Sequence, residues 1–291
     1  MEEKLETDLK ISILTPSFQA VKYIGRAIDC VLDQQYPDVE HIVMDGGSTD
    51  GTVAVLEKYP HLKWVSEPDN GQSDAMNKAF EQVTGEVLTY LNADDYFAEG
   101  ALKAVADCFS QHPDADMVVG NLIIDKGEKQ RTVKPSTTFA QLLRHFEIPF
   151  PFNPVCYFYK AEVQRKAGPF PQENHLTMDY WFLLHAYRHS KVVRIDRVLG
   201  TFDLNFESKT AVNANSVLEC HRAALRFLKG ESLYWRLYYR FHYSKYWLKN
   251  HFLNWLKRPF RQVFYSLFLS RKLSREQFDQ LGFFQSLKKV L

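Results

Sequence analysis

Leu88-Thr89-Tyr90-Leu91-Asn92-Ala93-Asp94-Asp95-Tyr96-Phe97 is the stretch on which the reading of this chain turns. A short apolar run bounded upstream by Gly85 predicts a buried strand. It ends in two adjacent carboxylates, Asp94 and Asp95, with Asn92 just ahead of them. Neighbouring carboxylates repel one another and are costly to bury unpaired, so a positive partner is expected opposite them. A hard divalent ion with oxygen ligands, shared with substrate phosphates, meets that expectation. The competing reading is that the pair caps the helix predicted near Gly100 or simply occupies a turn.

Outward from that stretch, strands and helices alternate. Residues 11–14 (Ile-Ser-Ile-Leu) predict a first strand closed by Thr15-Pro16-Ser17, and a helix over 23–34 carries Ile24, Ala27, Ile28, Val31 and Leu32 on one face. A second strand over 40–44 runs into Asp45-Gly46-Gly47-Ser48-Thr49-Asp50-Gly51, then a helix over 52–59. A third strand (62–65) meets Ser66-Glu67-Pro68-Asp69-Asn70-Gly71, and a helix over 73–83 leads back to the acidic strand. Such alternation with short connections predicts a parallel sheet covered by helices on both faces, with ligands gathered at the carboxyl ends of its strands. Thr15 and Ser17, Asp45, Glu67 and Asp69, and Asn92 with Asp94 and Asp95 all lie just past successive strand ends, so four polar turns should converge on one rim. The glycine turn after Asp45 is neither GxGxxG nor a P-loop, which speaks against a dinucleotide or ATP site of those kinds. It serves either as a tight turn or as a place where a nucleotide approaches the backbone.

Downstream, a helix over 100–111, a strand over 117–119 and a hairpin around Asp125-Lys126-Gly127-Glu128 are expected. Three prolines make residues 149–154 a loop; a strand over 155–159 and a short helix over 161–167 follow. A second acidic site is His175-Leu176-Thr177-Met178-Asp179-Tyr180-Trp181. Asp179 sits at a predicted helix start, where a carboxylate is favoured by the dipole. It is equally placed to act as a general base beside aromatic rings that could hold an acceptor.

The chain has 291 residues, 45% of them apolar, enough for one sizeable domain and an appendage. Its net charge of +1 conceals an asymmetry: residues 231–291 carry +9 and residues 1–230 carry −8. Cys30, Cys108, Cys156 and Cys220 are scattered without a CxxC pair, which fits a reducing compartment and argues against a zinc site. The charged start does not read as a secretion signal, and no apolar run reaches 18 residues, so a cytoplasmic protein is expected. Two regions are expected: a catalytic domain over 1–210 and a helical, basic and aromatic extension over 211–291. Within 231–270, Leu233, Leu237, Phe241, Leu248, Phe252 and Trp255 share a helical stripe flanked by Arg236 and Arg240 on one side and Lys245 and Lys249 on the other. Such a stripe suits a membrane surface, with packing on protein as the alternative. Its far side, with Trp235, Tyr239, His242 and Tyr246, is not strongly polar. No nucleic-acid module is present, so no nucleic-acid partner is expected.

Taken together, these segments resemble glycosyltransferase family 2, the inverting nucleotide-sugar transferases of the GT-A fold, over about residues 10–202. Ile13-Leu14-Thr15-Pro16-Ser17-Phe18 resembles the opening strand and nucleotide loop, and Met44-Asp45-Gly46-Gly47-Ser48-Thr49-Asp50 the second loop. Asp69-Asn70-Gly71-Gln72-Ser73-Asp74-Ala75-Met76-Asn77 is similar to a third block, and Asn92-Ala93-Asp94-Asp95 stands in the place of the metal-binding DxD signature. Met178-Asp179-Tyr180-Trp181 resembles the block that supplies the base. Two positions depart from the pattern: Gly46 replaces a second acid, and Asn92 replaces the first Asp of the signature.

The resemblance implies a Rossmann-like, mostly parallel α/β sheet with a C-terminal helical extension, and transfer of a sugar from a nucleoside-diphosphate donor to a glycan or lipid-linked acceptor, in surface polysaccharide or glycolipid assembly. It implies donor contacts from Thr15, Pro16, Ser17, Asp45, Glu67, Asp69, Asp74, Asn77, Asn92 and Asp94. Mg²⁺ or Mn²⁺ would sit on Asp94 and Asp95, with Asn92 as a ribose or supporting contact, and Asp179 would be the base. The other classes open to the sequence are a nucleotidyltransferase, which would normally show a Gly- and Lys/Arg-rich phosphate loop near the first strand, and a non-catalytic module of the same fold.

Overall fold

The computed structural model describes residues 9–127, 129–173, 177–204 and 216–252. The chain divides into two compact units between Ser232 and Leu233, and each is described by itself.

Strands β1 (Ile11–Ser17), β2 (Val39–Asp45), β3 (Lys63–Ser66) and β4 (Val87–Tyr90) form the first half of the sheet, in the order β3-β2-β1-β4, all parallel. β1 and β4 are buried along their whole lengths, as continuous apolar strands covered on both faces should be. Val43 meets the cluster of Ile24 and Ile28 from helix α1 (Ile24–Leu32) and Leu56 from α2 (Thr52–Leu56). Its neighbour Met44 points the other way, where its sulfur accepts from Gln82, just past helix α3 (Gln72–Glu81). Helices therefore cover both faces, as alternation predicts.

The second half departs from a mostly parallel sheet. After β5 (Tyr96–Phe97), α4 (Ala101–Gln111), β6 (Met117–Asp125), β7 (Gln130–Val133) and α5 (Phe139–Leu142), strand β8 (Tyr157–Lys160) enters antiparallel between β4 and β6. The long β9 (Val192–Asp203) runs parallel to β6 and antiparallel to β5. Of the pairings among described strands, as many are antiparallel as parallel, so the sheet is mixed. The cause is local. Asn153 accepts from the Val155 N–H at 2.9 Å and caps a single 3-10 turn, Pro154–Cys156, so the chain reverses and starts its strand at Tyr157, after the turn. β6 also runs on to Asp125, past the expected end at residue 119.

Helices α6 (Ala161–Ala167) and α7 (Met178–His189) follow β8, and α8 (Ser216–Leu228) packs on α7. Phe227 of α8 meets Trp181, His185 and Phe139, and Glu231 pairs with Arg188 at 3.0 Å. Those contacts tie α8 to the first compact unit, which runs to Ser232. The second unit begins with α9 (Leu233–Trp247), closed by one π-helical turn, Leu248–Phe252. The stretch beyond it, including Trp255 of the expected stripe, lies outside the described residues. Among the described residues no helix is long and apolar enough to cross a membrane.

At the amino ends of the strands, opposite the polar loops, Glu40 forms a buried hub. Its carboxylate accepts from Ser12 Oγ, Lys63 Nζ, Thr84 N and Oγ1, and Gly85 N at 2.5–3.0 Å. Burial works against the charge, but these donors outweigh it and hold the acid down to about 2.

Candidate active site

The loops after β1 to β4 are stitched into one rim. Gly46 N donates to Ser17 O at 2.8 Å, Ser66 Oγ to Asp45 Oδ2 at 2.7 Å, and Gln72 Nε2 to Asn92 Oδ1 at 3.0 Å. A Cβ at residue 46 would lie 2.8 Å from Asp69 Oδ2, so a larger residue there would displace the Asp69 side chain.

Within the rim the expected donor contacts fall into two groups. Ser17 Oγ is buried without a partner among the described residues, which leaves a donor–acceptor ready for a ligand. Asp69 is half-buried, with Oδ1 accepting from Gly71 N. Phe18, overlooked in the sequence, stands 63% exposed beside them. Other members of the set are spent on the scaffold. Thr15 Oγ1 bonds the buried His41 at 2.9 Å, and burial depresses that imidazole to about 3. Pro16 is a buried β1 residue in register with Met44. Asp45 accepts from Ser48 N, Ser48 Oγ and Ser66 Oγ, and Glu67 forms a surface ion pair with Lys78 at 2.8 Å.

Asp74 and Asn77 bind the segment that leads into α7, and Asp74 also holds the polar loop after β3 through Asn70. Asp74 accepts from Asn70 and from Gln172 Nε2, and Asn77 bonds Phe170 through both ends of its amide. Buried Ser73 completes this face by donating to Met178 Sδ at 2.9 Å. The first turns of α3 thus grip the chain on both sides of the undescribed residues 174–176, where His175 lies.

The acidic pair divides its labour. Asp94 is half-buried at the rim, and its backbone carbonyl accepts from Arg26 Nη2 at 2.6 Å. Arg26 also pairs with Asp203 at 2.6 Å and lies over the Tyr96 ring. Asp95 is fully enclosed: Oδ2 accepts from Asn92 and Asn153 at 2.8 and 2.7 Å, and Oδ1 from Asp203 N at 3.1 Å. Burial, then the neighbouring Asp94, pushes the Asp95 carboxyl up to about 7 against those three donors. Asp95 therefore fastens β4, the 149–154 loop and the end of β9 together, and Asp94 is the carboxylate at the rim. Among the described residues no group of three or more His, Cys, Asp or Glu gathers around a common point. Arg26, Asn153 and Asp203 carry no local sequence signal: each becomes part of the site only through contacts more than fifty residues away.

Asp179 opens α7. The residue as a whole is half exposed, yet Oδ1 is enclosed and has no partner among the described residues. Burial alone pushes its carboxyl up to about 7. Cys156 connects the two centres: burial raises its thiol first, and the carboxylates of Asp179 and Asp95 add to the rise, so both acids lie within electrostatic reach of one side chain.

With this geometry in hand, comparison with known proteins gives the family. The model of glycosyl transferase family 2 matches residues 12–168, more than half of the chain, and the chain belongs to that family. An uncharacterised glycosyltransferase of Mycobacterium tuberculosis is 38% identical over 205 residues, covering 66% of this chain and 74% of the relative. TarS of Staphylococcus aureus, a poly(ribitol-phosphate) β-N-acetylglucosaminyltransferase, is 25% identical over 195 residues. The chain spans only 34% of the length of TarS and 43% of that of an uncharacterised glycosyltransferase of Nostoc. In three dimensions it superposes on TarS residues 1–349 bound to UDP-GlcNAc with a TM-score of 0.66 at 20% identity, over 97% of this chain and 80% of the other. A mannosyltransferase of Pyrobaculum calidifontis in complex with GDP-Man and Mn²⁺ gives 0.61 at 18% identity, over 84% and 70%. The fold is the GT-A fold.

Proposed function

We propose that this chain transfers a sugar from a nucleoside-diphosphate sugar to an acceptor hydroxyl, with inversion at the anomeric carbon. The observation that carries the reading is Asp179: an enclosed, unpartnered carboxylate oxygen at the start of α7, within electrostatic reach of Cys156, which also feels Asp95. In this role Asp179 takes the acceptor proton as the hydroxyl attacks the face opposite the leaving diphosphate. Ser17, Asp69 and the exposed ring of Phe18 hold the nucleotide, while Asn92 reaches the ribose side.

Asp94 fits a hard ion that takes most of its oxygen ligands from the donor diphosphate, with Asp95 fixing the loop behind it. Mg²⁺ or Mn²⁺ bound there would supply charge neutralisation for the leaving nucleoside diphosphate. UDP-GlcNAc and GDP-Man occupy the two structural relatives, which supports the donor class and leaves the base open. The acceptor is a glycan or a lipid-linked molecule in surface polysaccharide or glycolipid assembly; TarS, by its name, acts on a polymer that likewise offers hydroxyls, poly(ribitol-phosphate). All four cysteines are unpaired, which supports work in the cytoplasm. The first strand ends in Thr15-Pro16-Ser17 with no phosphate loop, against nucleotidyl transfer.

The test is slow hydrolysis of a panel of nucleotide sugars, with Mn²⁺ and with chelator, by the wild-type and Asp94→Ala proteins. Selective, metal-dependent turnover lost in the variant is the expected result. Binding of no donor at all would move the protein to the non-catalytic class.

A further inference from the structure

The second unit carries a feature the transferase reading does not use. Around α9 and the turn after it, Leu233, Leu237, Phe241, Leu248 and Tyr234 fall in an arc on the order of 100°. All five are exposed, Phe241 at 68% and Leu237 at 54%. Trp235, His242, Tyr243 and Tyr246, on the opposite side, are half covered, and Tyr239 is enclosed, its ring stacked on Tyr243. The weakly polar far side that obscures this helix's amphipathic character in the sequence is thus the covered side. What remains outward is an apolar stripe edged by cations. Arg236 and Arg240 follow one border with exposed Trp247, and Lys245 and Lys249 the other; residues 233–252 contain no Asp or Glu.

We infer that this outward face of α9 docks on an anionic lipid bilayer. Charge selects that occupant. A second copy would set Arg240, Lys245 and Lys249 against three more cations and is repelled. Lipid phosphates attract the same border, at roughly fivefold in affinity per cation near the surface. The stripe supplies apolar area, Tyr234 and Trp247 suit the headgroup level, and the long cations reach outward from its edges. The inference does not depend on the proposed activity.

The experiment is co-sedimentation of the full chain with vesicles of mixed phosphatidylcholine and phosphatidylglycerol, against pure phosphatidylcholine. Three proteins are compared: wild type, Leu237→Glu/Phe241→Glu and Arg240→Ala/Lys245→Ala. All four substituted side chains are exposed, so the fold is unaffected, and an unchanged circular-dichroism spectrum and melting temperature verify it. Wild type should bind the anionic vesicles only, weakened by roughly a hundredfold or more in the first variant. The second variant should lose roughly ten- to thirtyfold. Failure of wild type to bind, or unchanged binding by the first variant, overturns the inference. A wild-type dimer that the first variant dissociates, without vesicle binding, would make the face an interface between copies.

Discussion

Asn77 holds Phe170 with both ends of its side-chain amide: Nδ2 donates to the Phe170 carbonyl at 3.0 Å and Oδ1 accepts from its N–H at 2.8 Å. Phe170 in turn packs edge-on against Tyr90 of the acidic strand. One residue of α3 therefore sets where the chain passes on its way to Asp179. Asn77→Ala should leave donor affinity within about twofold and lower kcat by roughly tenfold, the loss of two hydrogen bonds costing on the order of 1–3 kcal/mol at the latch. Steady-state kinetics with donor binding by calorimetry would show the split. Loss of donor binding with unchanged kcat would return Asn77 to the nucleotide site.

Asp179→Asn should cut transfer by roughly 10²–10⁴-fold while donor binding persists. In the wild type, log kcat/KM should rise with pH and level off above about 7, where the carboxyl is ionised.

The same group makes a stability prediction with a definite sign. Its carboxyl is raised from 3.8 to about 7. Between those values the folded protein keeps a proton that the unfolded chain releases, so this contribution is full at low pH and is lost as pH rises through about 7. The Asn variant should gain on the order of 1–2 kcal/mol near pH 8, allowing for the half-exposed residue, and nothing at pH 4. Denaturant melts at the two pH values decide it; an equal gain at both would point to packing and not to charge.

Asp94 and Asp95 should behave differently despite adjacency. Asp94→Ala should fold normally and lose metal-dependent donor turnover. Asp95→Ala would strand the Asn92 and Asn153 amides and the Asp203 N–H, with a loss of roughly 3–5 kcal/mol. Thermal melts of the two proteins side by side give the answer.

Glu40→Gln, at the amino ends of the strands, should destabilise the protein by about 2–3 kcal/mol at neutral pH without changing kcat of the folded fraction. The Glu40 carboxyl is lowered from 4.5 to about 2. Its contribution is present above the unfolded value and fades as pH falls through about 2, so the variant's deficit should shrink in acid.

The parallel half of the fold was legible because each strand there is local: an apolar run, a polar turn and a helix with its own apolar face announce themselves within thirty residues. Helix α7 was legible for the same reason, with Asp179 placed at its start. The antiparallel half was not. β9 alternates weakly, with half-exposed and exposed positions up to Val198, and the strand acquires its identity only by lying against β6. β8 begins two residues late because an asparagine cap before Pro154 diverts Val155 and Cys156 into a turn. The convergence of the polar turns on one rim was legible, and the bonds Gly46–Ser17, Ser66–Asp45 and Gln72–Asn92 hold them there, but the division of labour among their residues was invisible. Whether Asp74, Asn77 or Asp45 meets a ligand or braces a loop depends on partners such as Gln172, Phe170 and Ser66, which no short motif contains.

The insertion of β8 beside β4 bears on the order in which the molecule assembles. β4 meets β1 across 76 positions of chain, Ile11 to Val87, and β8 across 73, Val87 to Lys160. Closure entropy hardly separates loops of such similar length, so neither partner is favoured to arrive first. The strand that carries the acidic pair should thus gain protection from hydrogen exchange on both sides together, so that the proposed donor rim and the proposed base come into being in one step.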